Sequence, residues 1–242
     1  FSEQDATHQH RYKADEAYLI GKGLSPVGAY LAGDEIIEIA SKANVDAIHP
    51  GYGFLSENHK FAAAVRASGI AFIGPSADVI EFLGDKCNAR TEAERLGIPT
   101  VPGIELPSDD DKALLAAEKF FAEHNTTIVK AAHGGGGRGM RVVEQSEDMA
   151  SCLRQARSES LAAFGSPIVF LEKFMPRVRH IEVQVLGDLA GNVVHLNERD
   201  CSVQRRHQKV VEVAPAPNLS EAVRSTLFDD ALKLAKSAGY HN

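Results

Sequence analysis

Along the first third of the chain, apolar residues recur at helical spacing and then in short unbroken runs. Asp34-Glu35-Ile36-Ile37-Glu38-Ile39-Ala40 has the spacing of an amphipathic helix. Val45-Asp46-Ala47-Ile48 follows as a short strand running into His49-Pro50-Gly51-Tyr52-Gly53. Asn58 to Ala67 reads as a second helix, closed by Gly69, and Ile70-Ala71-Phe72-Ile73 as a second strand. Strands alternating with helices predict a parallel sheet with right-handed crossovers, hence an α/β fold. In such sheets ligands sit at the carboxyl ends of strands, and HPGYGFLSEN, His49 to Asn58, leaves such an end. A tight turn explains HPGYG equally well, with Pro setting φ and Gly relieving it.

Ser76 can cap a helix carrying Val79, Ile80 and Phe82, and Asp85 to Leu96 forms another, stopped by Gly97 with Pro99 beyond. Pro99, Pro102 and Pro107, followed by Ser108-Asp109-Asp110-Asp111, mark a boundary and a hinge. From about Pro102 to Phe174 the order is helix, strand, glycine loop, strand, helix, strand. Ser146-Glu147-Asp148 caps the helix that carries Met149, Cys152, Leu153 and Ala156 on one side, and Ile168 to Phe174 returns as a strand. Ile181, Val183 and Val185 then alternate with Glu182 and Gln184, and a turn follows over Gly187 to Asn192. Val193 to Leu196 is the hairpin partner. A last helix starts near Ser220-Glu221 and carries Val223, Leu227, Leu232 and Leu234.

With 242 residues, 44% of them apolar and 24% charged, the chain can bury a core of one or two domains. A net charge of -7 argues against a broad basic face for nucleic acid or an anionic membrane surface. The local cluster Gln204-Arg205-Arg206-His207-Gln208-Lys209 reads by itself as a solvated run. Cys87, Cys152 and Cys201 are odd in number, far apart and without CxxC spacing, so neither a disulfide framework nor a zinc site is indicated. No apolar run approaches the ~20 residues that span a bilayer, and the start shows no signal-peptide pattern. The expected location is cytoplasmic or the mitochondrial matrix.

The chemistry gathers at KAAHGGGGRGMRVV, Lys130 to Val143, where glycines fill the space between two apolar strands. Glycine tolerates positive φ and lets backbone N–H groups approach an anion, so a glycine hairpin beside Lys130 and Arg138 reads either as a flap over phosphates or as a plain hairpin loop. It is not a P-loop, which needs GK[ST] opening a helix, nor a dinucleotide-binding turn, which also opens a helix. Lys130 lies in an apolar strand, where a charge needs a partner, and an anionic ligand is one.

Together with HPGYGFLSEN, GDK (Gly84 to Lys86), LEKF with RHIEVQVL, and ERDCSVQRRHQKVVE, this stretch resembles the biotin carboxylase component of biotin-dependent carboxylases, an ATP-grasp family. The similarity runs along essentially the whole chain. KADEAYLIG, SPVGAYL and VVEVAPAPNL are most similar to the pyruvate carboxylases. The resemblance implies a partial amino-terminal parallel (Rossmann-like) domain over 1–84, a linking helix over 85–101, a small α+β lid over 102–175, and the start of the carboxyl-terminal ATP-grasp domain over 176–242. It also implies a reaction. ATP phosphorylates bicarbonate to carboxyphosphate, and the carboxyl group passes to biotin carried on a separate domain. In a pyruvate carboxylase this serves oxaloacetate synthesis, an anaplerotic and gluconeogenic step.

By the same resemblance, Lys86 and Lys130 contact ATP phosphates beneath the flap Gly134, Gly135, Gly136, Gly137 and Gly139. Glu172, Lys173 and Met175 line the adenine slot, partly through backbone groups. His180, Gln204 and His207 surround ribose and phosphates, and Lys209 is the catalytic residue that reaches toward bicarbonate. The cofactors implied are ATP, Mg²⁺ and biotin. The Mg²⁺ ligands and the groups acting on bicarbonate and biotin are expected beyond Asn242, with no metal ligand in this chain, and the opening strand and glycine turn are expected before Phe1. As a complete polypeptide the chain would then show no bicarbonate-dependent turnover. A biotin carrier domain, a carboxyltransferase domain and a homo-oligomer are the implied partners.

Plainer readings stand beside these. Lys86 can be a surface lysine, His180 a satisfied core histidine, and Glu172 and Lys173 the exposed face of an edge strand. Arg205 and Arg206 can pair with Glu198 or Asp200. Asp200-Cys201 suggests a nucleophile, but no histidine stands at a diagnostic spacing, and a buried Cys is inert. Three other functions compete: the biotin carboxylase of an acyl-CoA carboxylase, another bicarbonate-activating ATP-grasp ligase, such as a carbamoyl-phosphate-forming one, and a non-catalytic nucleotide-binding or assembly module. Ordering six flap residues costs on the order of 6 to 12 kcal/mol, against ~1.5 to 3 kcal/mol for each charge-assisted bond to phosphate. The flap is therefore expected to be open without nucleotide and to close on ATP.

Overall fold

The computed structural model describes residues 1–132, 140–205 and 208–241. The glycine flap from Gly134 to Gly139, and Arg206 and His207, lie outside the described residues. The chain divides into two compact units. One comprises Phe1–Phe82 with Gly187–Asn192 and the residues from Gly239 onward; the other comprises Leu83–Leu186 and Val193–Ala238.

The first unit opens with two short helices, α1 (Gln9–Tyr12) and α2 (Pro26–Tyr30), that the apolar pattern does not show. Helix α3 (Gly33–Lys42) and strand β1 (Ala47–Ile48) follow, then α4 (His59–Ala67) and β2 (Ala71–Phe72). The strands pair in parallel, Ala47 with Ala71 and Ile48 with Phe72, as alternating strands and helices predict. Asn58 caps α4 by accepting from the Phe61 N–H at 3.0 Å. The core joins Ala62 and Val65 of α4 with Leu55, Phe61, Ile70 and Phe72. Between β1 and α4 the HPGYG segment is a tight turn with Gly51 and Gly53 at φ near +70°, a region that L side chains enter at a cost. Helix α5 (Ala77–Gly84) starts where Ser76 Oγ accepts from Val79 N–H.

The second unit begins with α6 (Lys86–Arg95) and β3 (Gly103–Glu105). Next come α7 (Asp110–His124), β4 (Thr127–Ala131), β5 (Arg141–Val143), α8 (Met149–Phe164) and β6 (Val169–Lys173). Its first sheet has the order β3-β6-β4-β5. Strand β3 is invisible to pattern reading because prolines flank it. As an edge strand it pairs on one side only, and the prolines sit outside its three bonded residues. Gly103 is required there, since a Cβ would come within 2.9 Å of the Leu171 carbonyl.

Side-chain alternation gives this sheet two unlike faces. Val129, Val143, Val169 and Leu171 point to α7 and α8, where they pack with Ala113, Ala117, Phe120, Met149, Leu153 and Ala156. The opposite face carries Lys130 and Glu172. Strand β6 is interior, flanked by β3 and β4, so the edge-strand reading of Glu172 and Lys173 does not hold.

The second sheet has the order β7-β8-β9, from β7 (Ile181–Gly187), β8 (Val193–Arg205) and β9 (Gln208–Val213). Strand β8 runs well past Leu196, where the apolar alternation stops. Its continuation carries charged residues whose partners come from elsewhere in the unit. Glu198, fully buried, accepts from Ala216 N–H at 3.1 Å and from Arg224 Nε at 2.9 Å; Arg224 belongs to α9 (Glu221–Ser237). Asp200 accepts from Arg179 Nη2 at 2.8 Å. Among the described residues Arg179 and Arg224 are the cations that meet these carboxylates, and the pairing expected of Arg206 falls outside the described residues. Phe228 of α9 stacks on His195 of β8 at 3.8 Å between ring centroids.

Asp200 also supplies a pH dependence. Bonds from Ser202 and from Arg179 hold its carboxyl at about 2, below its ordinary value of 3.8. A depressed carboxylate pKa contributes stability that is complete above the unfolded value and disappears as pH falls through the folded one. Acid titration of Asp200→Asn, followed by far-UV circular dichroism, is therefore expected to show a shallower loss of stability between pH ~4 and 2 than the parent chain. Parallel curves would reject the contribution.

Candidate functional site

Two charged groups of side chains bring together most of the described residues singled out above. The first lies on the face of the β3-β6-β4-β5 sheet turned away from α7 and α8. The register pairs Lys130 with Phe170 and Ile128 with Glu172, so Lys130 and Glu172 are diagonal neighbours on one face. Their side chains form an ion pair. Half-burial makes a lone ammonium costly, and here the carboxylate supplies the compensation. Arg90 of α6 approaches the other Glu172 oxygen at 3.9 Å.

Lys86 is the first residue of α6 and joins this group electrostatically. Burial, and after it the positive charge of Lys130, push the Lys86 pKa below its ordinary value. Asp85, Cys87 and Glu172 act electrostatically in the opposite direction. The Asp85 carboxylate fixes the helix start by accepting from Cys87 N–H at 2.8 Å and Asn88 N–H at 3.0 Å. Asp85→Ala is expected to cost about 1 kcal/mol in urea unfolding and to loosen the placement of Lys86. An unchanged midpoint would exclude the cap's contribution. Cys87, which sequence reasoning passed over, is bonded to Glu105 of β3; burial first and that bond second push its thiol up to about 12. It is a structural thiol with no thiolate character near neutrality.

Lys173, next in line to Glu172, falls on the helix-covered face by alternation, and its N–H is given to the Pro102 carbonyl at 2.9 Å. Of these two neighbours, Glu172 and not Lys173 presents its side chain beside Lys130. Met175 lies beyond the strand and is half exposed.

The second group surrounds Lys209 at the β7-β8-β9 sheet. Lys209 Nζ is ion-paired with Glu182 Oε2, and Arg199 Nε donates to Glu182 Oε1 at 2.7 Å. Burial raises the Glu182 pKa, but the bonds from Lys209 and Arg199 outweigh it and hold the carboxyl below its ordinary value. The same bond raises the Lys209 pKa, which keeps that side chain cationic. His180 is exposed and is no core histidine: its Nδ1 lies 2.9 Å from Gln204 Nε2, and its Nε2 lies 3.7 Å from Glu182. Glu182 and Arg199 were missed at the sequence level. The signal was available, because the alternation in RHIEVQVL puts Glu182 and Gln184 on one face, but nothing in the strand names their cationic partner.

Glu182, Cys201 and Glu212 form a possible metal cluster, with donor atoms within 4.8 Å of one another. The donor set does not suit Mg²⁺, which takes oxygen ligands. Burial raises the Cys201 thiol pKa, and Glu182 is already neutralised by Lys209 and Arg199.

Two concavities of the same unit are lined by other residues: one by Leu106, Pro107, Ser108 and Arg157, the other by Ile98, Val183 and the apolar side of α9. Neither lining includes Lys86, Lys130 or Lys209. Cationic side chains grouped in this way can hold an anionic group.

The biotin carboxylase N-terminal domain model matches residues 1–80, and the model for the ATP binding domain of the carbamoyl-phosphate synthase L chain matches residues 85–242. The chain belongs to the biotin carboxylase family of ATP-grasp proteins. Among curated relatives of this family, pyruvate carboxylase 1 of Caenorhabditis elegans is 57% identical over 243 residues, and the mitochondrial pyruvate carboxylase of Homo sapiens is 54% identical over 242. Each match covers 100% of this chain but 20% of the relative. Among solved structures, a biotin carboxylase β,γ-ATP complex from Campylobacter jejuni superposes with a TM-score of 0.92 at 43% identity, covering 100% of this chain and 54% of that one. The biotin carboxylase domain dimer of Hydrogenobacter thermophilus 2-oxoglutarate carboxylase, in complex with MgADP, ADP and bicarbonate, gives 0.91 at 42% identity, with 52% of that chain covered. The chain thus spans about a fifth of the curated relatives it matches. No helix among the described residues is long and apolar enough to cross a membrane.

Proposed function

We propose that the chain is the ATP-binding portion of a biotin carboxylase within a pyruvate carboxylase, carboxylating biotin with bicarbonate through carboxyphosphate at the expense of ATP. The observation that carries this reading is the Lys130–Glu172 ion pair on the sheet face away from α7 and α8, with Lys86 near enough to feel both charges. Bicarbonate is a feeble nucleophile, and phosphoryl transfer to it depends on alignment and on neutralising charge. Lys86 and Lys130 supply cationic charge for the phosphates. Glu172, with Lys173 and Met175, borders the adenine side. Lys209, held cationic by Glu182, reaches toward bicarbonate, with His180, Gln204 and His207 around ribose and phosphates. Gly134 to Gly139 close over the nucleotide.

Mg²⁺ would add charge neutralisation at the phosphates, and on this reading its ligands belong to sequence beyond Asn242. The domain boundaries that go with this reading are 1–84, 85–101, 102–175 and 176–242. A biotin carrier domain and a carboxyltransferase domain act downstream, in an oligomeric enzyme of the cytoplasm or the mitochondrial matrix. The names of the relatives and of the nucleotide and bicarbonate complexes support these points.

The test is titration of the chain with ATP and ADP, paired with transfer of labelled bicarbonate to free biotin by a carboxylase carrying this sequence. Adenine-nucleotide binding and biotin-dependent ATP cleavage are expected. No nucleotide binding, or cleavage that responds to ammonia instead of biotin, would reject the reading.

A further inference from the structure

We propose that Arg90 is a positioning residue that takes over the Glu172 carboxylate when a polyphosphate draws Lys130 away from it. The inference rests on the nucleotide reading of this face. Glu172 is shared: Oε2 pairs with Lys130, while Oε1 stands 3.9 Å from Arg90 Nη1. The Glu172 and Arg90 side chains are each 17% exposed, and Lys130 is 26% exposed. Water therefore screens this trio poorly, and a carboxylate left alone here repels whatever anion Lys130 has turned to.

Arg90 is built to receive that carboxylate. Its guanidinium is held by the Val101 carbonyl, by Thr100 Oγ1 at 3.3 Å and by Glu94 at 2.8 Å. A planar fork with five donors can keep those bonds and still face Glu172, which a lysine ammonium cannot do as well. The separation of 3.9 Å is that of an ion pair not yet closed to hydrogen-bond distance. The carboxylate thus has a second cation within a side-chain rotation of its first. Two of these anchors, Thr100 and Val101, lie in the segment leading into β3, the neighbour of the strand that carries Glu172, so the receiving cation is tied to the same sheet.

The experiment is titration of the 242-residue chain with ATP and with ADP at fixed ionic strength. It compares the parent with Arg90→Met, Arg90→Gln, Arg90→Lys, Glu172→Gln and the double variants Arg90→Met/Glu172→Gln and Arg90→Gln/Glu172→Gln. Arg90→Met and Arg90→Gln are expected to weaken binding about 10-fold and Arg90→Lys less, consistent with like-charge repulsion across a poorly screened gap. Each double variant is expected to bind within about 3-fold of Glu172→Gln alone, because a neutral side chain needs no second cation. A merely structural role for Arg90, through Thr100 and Val101, would not be rescued in this way. Arg90→Gln retains hydrogen bonding to that segment and serves if Arg90→Met does not fold. Double variants as weak as the product of the single effects would overturn the hand-over. A parent chain that binds neither nucleotide would overturn the nucleotide reading itself and the hand-over with it; binding without rescue rejects the hand-over alone.

Discussion

Lys130→Met is expected to weaken ATP and ADP binding by about 100-fold or more while leaving the fold intact. Each charge-assisted hydrogen bond to phosphate contributes about 1.5 to 3 kcal/mol, and every ~1.4 kcal/mol is a factor of ten in affinity. Loss of one or two such bonds accounts for the effect. The fold survives because Lys130 is no part of the packed core: its side chain is on the face away from α7 and α8, and its partner Glu172 still faces Arg90. Lys130→Arg retains the charge but not the compact geometry of an ammonium, and an intermediate loss is expected. Calorimetric titration beside thermal unfolding checks both halves. Affinity within about 3-fold of the parent would remove Lys130 from the binding site.

The second large effect is on stability. Leu171→Ala is expected to destabilise the second unit by about 2 to 5 kcal/mol, the range for truncating a buried leucine to alanine. Leu171 is fully buried at the centre of β6, opposite Ile104 on one side and Val129 on the other. Both neighbouring strands and both helices pack around it, so the cavity has little freedom to collapse. Against the roughly 5 to 15 kcal/mol that hold a typical domain together, this is a large fraction. The urea midpoint should fall with little change in slope. A loss under about 1 kcal/mol would show that the β6 core tolerates the void. Glu172 is the next residue, so a loosened β6 also misplaces the Lys130 partner, and nucleotide affinity should fall in parallel.

Much of this was legible along the chain, because each such feature rests on local physics. Helical spacing in Ile36 to Ala40 and the short runs at Ala47-Ile48 and Ala71-Phe72 are enough to predict the parallel pair, since hydrophobic period and burial are one and the same signal there. Asn58, Ser76, Asp85 and Ser220 announce helix starts through bonds to backbone groups two or three residues away. Strand β3 and the second half of β8 were not legible. The first is held by a single neighbour strand between prolines. The second is stabilised by Arg179 and Arg224, which lie far from it in sequence.

The order of residues was enough to place the strand bearing Lys130 and the helix start bearing Lys86, because caps and alternation are written within a few residues of one another, while the family showed through the resemblance of whole motifs. Folding alone settled who neutralises whom. Lys130 meets Glu172 through the β4–β6 register, Lys209 meets Glu182 across the second sheet, and Arg90 comes within reach of Glu172 from α6. The reason is physical. A half-buried charge must find a partner, but Coulomb attraction acts through space and takes no account of position along the chain.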